Sequence, residues 1–306
     1  MTNYDVVIIG GGPAGLVAAG YCLYAHLNAA ILTPELGGKV NYPFALRGFK
    51  PENIVWGAQL VAQFEQMLAG ARDVPHLATQ ATAIEQTPEG RFFLRLRDGD
   101  HIVARTVIVA TGAAPQRLYV AGEREYWGRG VSFSAISHAP YFSGRDVAVV
   151  GGGRRTLVAT LELAQIARRV YLIAARPQRM AALPEAAQVQ ALPNVTFFSN
   201  WEVQAIVGDE FVNAIQLVGV NGETRQLPVD GVFIQFALLP NNELVRALVQ
   251  LDEDGHIVVN HRCETSLPGL FAAGDVTNIQ SEQVLVAIGE GAKAALSAWE
   301  YLVTHP

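Results

Sequence analysis

With 306 residues, half of them hydrophobic and 16% charged, the chain has material for one large or two ordinary domains with well-buried cores. A net charge of −6 argues against nucleic acid as a general partner, and no apolar run approaches the length of a membrane span. The chain enters a strand without a charged and apolar leader, which reads as cytoplasmic, and no metal site is expected.

Residues 4–9 form an apolar β-branched run, short enough for a buried parallel strand. Gly10-Gly11-Gly12-Pro13-Ala14-Gly15 follows, and then a helical stretch runs to about residue 26. Gly10 suits a tight turn, Gly12 lets the backbone approach a pyrophosphate, and Gly15 lets the helix pack close to the strand. The helix N-terminus presents N–H groups to phosphate, so the unit reads as dinucleotide-binding. Cys22, on the helix face that packs on the sheet, reads as a core thiol. The second strand, residues 29–32, should end in an acid for the ribose; here Thr33 and Pro34 intervene before Glu35, so either Glu35 or Thr33 fills that role.

Gly37-Gly38-Lys39 and Asn41 form the next turn, and residues 56–69 read as an amphipathic helix. A meander of about 82–86, 91–97 and 102–109 runs into Ala110-Thr111-Gly112. Further on, residues 146–153 repeat the strand-plus-glycine pattern, with Gly151, Gly152 and Gly153 followed by Arg154, Arg155 and Thr156. That half-repeat predicts two doubly wound α/β domains. The two arginines suit a pyrophosphate, gripped bidentately, or surface ion pairs, or the docking of an acidic protein. After a strand at 170–173 stands Arg176. Cys263 lies in the polar connection His261-Arg262-Cys263-Glu264 and reads as exposed. Residues 269–276 form a strand running into Gly274-Asp275, and a last helix spans Gln283, Val284 and on to about 301.

The glycine motif, the Gly274-Asp275 strand end and the stretch 122–132 together resemble the thioredoxin-reductase branch of the FAD-dependent pyridine nucleotide–disulfide oxidoreductases. The resemblance implies two Rossmann-like domains, the second inserted in the first. An FAD-binding domain of 1–116 and 243–306 and a degenerate NAD(P)H-binding-like domain of 117–242 follow from it. It implies that Asp275 holds the FAD ribityl chain. Gly38, Lys39 and Asn41 then lie beside the isoalloxazine, with Lys39 replacing a glutamine; Lys39 reads either as a cation at the flavin edge or as a surface lysine. Ala110-Thr111-Gly112 closes the first half of the FAD domain. The helix start at Gln283-Val284 faces flavin O2 and N1, where its dipole stabilises negative charge.

Where the family carries its redox C-x-x-C-D, this chain has Ser134, Ser137 and His138. A serine hydroxyl cannot cycle between dithiol and disulfide. Only Arg176 survives of the family's 2′-phosphate cluster, with Met180 at its final arginine. The expectation is an FAD oxidoreductase without the disulfide relay, passing electrons between flavin and a partner such as a ferredoxin- or thioredoxin-like protein, and not using NADPH. One alternative is an NAD(P)H-dependent flavin, quinone or ferredoxin reductase; another is a non-catalytic FAD-binding module. A second adenine dinucleotide, even a second FAD, on Gly151, Gly153, Arg154, Arg155 and Arg176 is a further expectation. The resemblance also implies a homodimer.

Overall fold

The computed structural model describes residues 2–41, 44–48, 57–69, 74–279 and 281–306. The chain divides into two compact units, one of Met1–Asn41, Val55–Ala114 and Leu239–Pro306, the other of Tyr42–Ile54 and Pro115–Leu238. In the first, β1 (Thr2–Ile9) leads into α1 (Pro13–Tyr24) and β2 (Ala29–Leu32). A 3₁₀ turn at Gly38–Asn41 precedes α2 (Gly57–Ala69), β3 (His76–Leu77), β4 (Ala81–Gln86), β5 (Phe92–Leu96) and β6 (His101–Val109). Trp56, expected to open α2, lies outside the described residues. β7 (Ala113–Pro115) leads onward.

The second unit runs through β8 (Val131–Ser132), α3 (Ala135–His138), β9 (Asp146–Val150), α4 (Arg154–Ala164) and β10 (Arg169–Ala174). It continues with α5 (Gln178–Ala181), α6 (Glu185–Gln190), β11 (Val195–Ser199), β12 (Trp201–Gly208), β13 (Val212–Gly219), β14 (Thr224–Pro228) and β15 (Gly231–Ile234). The chain returns through β16 (Leu238–Pro240), β17 (Leu270–Ala272) and α7 (Val284–Thr304).

Both units carry a mainly parallel sheet whose central strands hold apolar buried runs, 6–9 and 107–109 in the first and 147–150 in the second, as burial on two faces requires. In the first the order is β3-β2-β1-β6-β5-β4. β6 pairs with β1 along one edge; its opposite edge is shared by antiparallel β5 at the start and parallel β17 at the end. In the second the order is β11-β10-β9-β15-β8, all parallel, with a separate antiparallel sheet β12-β13-β14.

Two residue groups differ from the sequence expectation. Residues 44–48, read as part of the first unit, pack in the second: Phe44 and Leu46 are buried with Phe142, Val149 and Phe233, and Ala45 N–H donates to Gly128 O at 2.8 Å. Cys263, read as exposed, is fully buried in the same cluster as Cys22. Its left-handed backbone (φ 61°) turns the thiol inward, where it donates to Glu290 O at 3.7 Å while its polar neighbours stay outside. Burial pushes both thiols up, Cys22 to about 12 and Cys263 to about 11, which leaves them unreactive at neutral pH.

α1 lies between the sheet and α7 at a spacing only glycine permits. A Cβ on Gly15 would collide with Gly10 O, one on Gly10 with Ala110 O, and one on Gly291 of α7 with Ala14 O. Gly289, on the outer side of the same helix, has nothing within 4 Å of where its Cβ would stand. Gly291→Ala should therefore cost about 1–3 kcal/mol by overpacking. Gly289→Ala should be neutral or stabilise by roughly 0.5–1 kcal/mol, the helix-interior cost of glycine. Urea denaturation of the two variants checks the pair; equal midpoints would contradict the packing described.

Candidate functional site

The first glycine loop joins β1 to α1 at the carboxyl end of the sheet. Gly10 takes φ +114°, which an L side chain rarely adopts, and Gly10 N–H donates to Leu32 O at 3.0 Å. Gly12 is the N-cap of α1, no side chain caps it, and nothing lies within 4 Å of where its Cβ would stand. Pro13 opens the helix, where its missing N–H costs no hydrogen bond. The loop thus leaves the N-terminal N–H groups of α1 without a side-chain cap beside open space.

The other residues expected here surround this loop. Gly37 N–H donates to Gly11 O at 2.7 Å, and Gly38, with φ +59°, would bring a Cβ to 3.0 Å from Gly12 Cα. Asn41 folds back over Gly37 and donates to Leu36 O at 2.7 Å, so its amide holds the turn. Thr33 is buried and its hydroxyl donates to Glu35 O at 2.7 Å; Glu35 is the exposed acid at the end of β2. Thr111 and Asn241 clasp each other, Thr111 Oγ1 donating to Asn241 O at 2.6 Å and Asn241 Nδ2 to Thr111 O at 2.8 Å. Ala110 N–H donates to Ile9 O at 2.7 Å, which anchors the strand end under Gly10.

Across the loop, Gly274 turns with φ +80° against Ala14. Glu290 of α7, 6% exposed, accepts Gly274 N–H at 2.9 Å, and Thr277, fully buried, donates its hydroxyl to Gly274 O at 2.8 Å. Burial raises the Glu290 carboxyl above its ordinary range. Both backbone groups of Gly274 are therefore satisfied from inside, which fixes the next residue, Asp275. The Asp275 carboxylate accepts from Lys39 Nζ at 2.7 Å. Lys39 is thus neither a lone surface cation nor committed elsewhere: it is the partner of Asp275. α7 starts at Val284 with Gln283 as N-cap and no side-chain cap on its first turn. The structure brings all these residues into the first unit. Glu290 and Thr277 were missed by sequence reading; the only signal was a lone glutamate in the Ala- and Gly-rich run 287–298.

In the second unit, Ser134, Ser137 and His138 do come together. Ser134 Oγ donates to Ser137 Oγ at 2.9 Å. His138 Nδ1 lies 2.8 Å from Oγ of Ser132, a residue 1% exposed, and its ring stacks on Phe44 at 4.1 Å and 17°. Burial pushes His138 down to about 4, so at neutral pH it is an uncharged ring packed between Phe44 and Tyr141. It has no proton to give as an imidazolium near pH 7.

The second glycine loop, Gly151–Gly153 before α4, has the same plan, but its side chains bond within the unit. Thr156 Oγ1 accepts Gly153 N–H at 3.3 Å and donates to Gln235 O at 2.9 Å. Arg154 Nε donates to Glu185 at 2.6 Å. Arg155 donates to Gln235 Oε1 at 3.2 Å and to Phe133 O at 3.0 Å. Arg176 is exposed just past β10, and Met180, at the family's arginine position, is buried with Leu157, Leu172 and Val189. Arg154 thus makes an exposed ion pair with Glu185, while Arg155 bonds Gln235 and Phe133. Among the described residues no helix is long and apolar enough to cross a membrane, and no cluster suits a metal ion.

The His138 environment has a pH signature. An unfolded histidine takes a proton near pH 6.5, whereas the fold resists it until about pH 4. Above pH 6.5 the residue costs nothing; as pH falls towards 4 the folded state loses up to about 3 kcal/mol relative to the unfolded chain. Denaturation measured from pH 7 to 4 should show this acid slope, and His138→Phe should flatten it. An unchanged slope in the variant would contradict the burial described.

Comparison with known proteins places these features. The pyridine nucleotide-disulphide oxidoreductase profile matches residues 4–291. An NADH dehydrogenase of Bacillus subtilis is 35% identical over 99% of this chain, and an alkyl hydroperoxide reductase component of Pseudomonas putida 34% over 98%. The chain spans 59% and 58% of the length of those two relatives. Among solved structures, a thioredoxin reductase from Streptococcus pyogenes superposes with a TM-score of 0.90 at 31% identity, covering 99% of each chain. A thioredoxin reductase from Giardia duodenalis follows at 0.88 and 27%, covering 99% of this chain and 100% of its own.

Proposed function

The chain belongs to the pyridine nucleotide-disulphide oxidoreductase family, in its thioredoxin-reductase-like branch, and is an FAD-dependent oxidoreductase; on that premise we propose that it holds its flavin on the first glycine loop and exchanges electrons with a small redox protein, of ferredoxin or thioredoxin type, with neither a redox disulfide nor NADPH. The observation that carries the reading is the contrast within one chain: an uncapped, open glycine loop in the first unit, against serines at the disulfide positions and a self-engaged loop in the second.

FAD fits the first loop on chemical grounds. The open space at Gly12 and the uncapped first turn of α1 suit a pyrophosphate. Glu35 is the acid available to the adenosine ribose. Asp275, fixed through Gly274 by Glu290 and Thr277, supplies a carboxylate acceptor for the ribityl hydroxyls, and its ion pair with Lys39 orients it. The first turn of α7, at Gln283 and Val284, offers N–H groups and a positive dipole end to the polar edge of the ring system. When bound, the flavin supplies both one- and two-electron transfer. What the chain's own residues do is bind it and hold its surroundings still.

Electron entry and exit follow from what is missing. Ser134 and Ser137 share a hydrogen bond but cannot form a covalent, reducible link, so no electron pair can be parked there. His138, uncharged at neutral pH, does not serve as an acid. The flavin must then meet its partner without a protein thiol between them. The purified protein, kept free of oxygen, should be reduced by dithionite and by reduced ferredoxin, and should show no bleaching of the flavin band with NADPH. Asp275→Ala should lose flavin while the chain remains folded by circular dichroism. Rapid bleaching by NADPH, or full flavin content in Asp275→Ala, would overturn this reading.

A further inference from the structure

We propose that Arg155, Thr156 and Gln235 form an internal clasp that closes the second glycine loop, so that the chain itself takes the hydrogen-bonding positions by which a dinucleotide would be held there. This deepens the reading above and rests on it only for the premise that NADPH is not the donor.

A helix start binds phosphate through N–H groups that its own turn leaves unpaired. In α4 one of these, Gly153 N–H, is given to Thr156 Oγ1. The same hydroxyl donates to Gln235 O, and a Cβ on Gly151 would collide with it. Thr156 is thus wedged, fully buried, under the loop it caps. The outer part of the loop is spacious, with nothing within 4 Å of a Cβ on Gly152 or Gly153. Room is not what the second loop lacks; one of its donors, Gly153 N–H, is already spent on Thr156.

Arg155 completes the closure. Its guanidinium joins the carboxyl ends of two strands, reaching Phe133 O just past β8 and Gln235 Oε1 just past β15, while its own backbone stands in the first turn after β9. In an open parallel sheet this end, between strands, is where ligands bind. Arg154, beside it in the same turn, pairs with Glu185 at the surface.

Gln235 shows that the clasp is retained at a cost. It is 2% exposed, its Oε1 is used by Arg155, and its Nε2 has no partner among the described residues. A buried unpaired donor is unfavourable, and an apolar side chain of the same volume would avoid it. The residue therefore serves the contact with Arg155 rather than the stability of the core.

The test is binding rather than turnover. Isothermal titration of the flavin-loaded wild type with NADH, NADPH and ADP-ribose should show no saturable site up to about millimolar concentration. Gln235→Met, which removes the side-chain bond to Arg155 and the unpaired donor together, should melt no lower than wild type and gain at least about tenfold in affinity for one of the three. Arg155→Met should gain likewise, and provides the second variant if the first fails to fold. A micromolar site in the wild type, or folded variants that gain nothing, would overturn the clasp. Wild-type binding without bleaching of the flavin would overturn the clasp and leave the proposed function standing; binding with bleaching would remove both.

Discussion

The first unit depends on one close approach. α1 lies where a single methyl group at Gly10, Gly15 or Gly291 would push it off β1, the end of β6 or α7. That spacing brings the helix N-terminus down to the strand ends, sets Gly274 against Ala14, and lets Glu290 reach Gly274 N–H. The geometry of the loop is therefore a consequence of packing. The loop backbone is held by contacts beneath it, and Gly12 is left open because its neighbours are so closely fitted.

The same β–glycine–α plan is used twice, with opposite results. At α1 the N-cap is a bare glycine followed by proline, and no side chain caps the helix. At α4 a threonine and two arginines follow the glycines, and each finds a partner within the second unit. Fold alone does not decide whether such a loop binds a nucleotide. The deciding quantity is how many N–H groups and charges remain uncommitted once the chain has satisfied its own.

Much of this was legible in the sequence. The run 4–9, the glycines after it, β2, β9 and the last helix all show the period and punctuation their geometry demands, and the observed bounds lie within a few residues of those expected. The antiparallel sheet β12-β13-β14 was not, although Asn221-Gly222 marks its turn; register shifts between Val203 and Ala205 and between Val207 and Gly208 interrupt the alternation that would have declared it. The partners of Arg155 lie 22 and 80 residues away, and Phe44 reaches His138 across a similar distance, so neither pairing leaves a local trace. Cys263 was misread because its flanking residues are polar, whereas a left-handed φ at that one position decides where the thiol points.

The central claim is that one glycine loop is open to an adenine dinucleotide and the other is closed. Counting cofactor per chain at saturation tests it most directly: equilibrium dialysis against excess FAD, followed by release and quantitation of the nucleotide. The account predicts one FAD per chain in the wild type. Two per chain would contradict it.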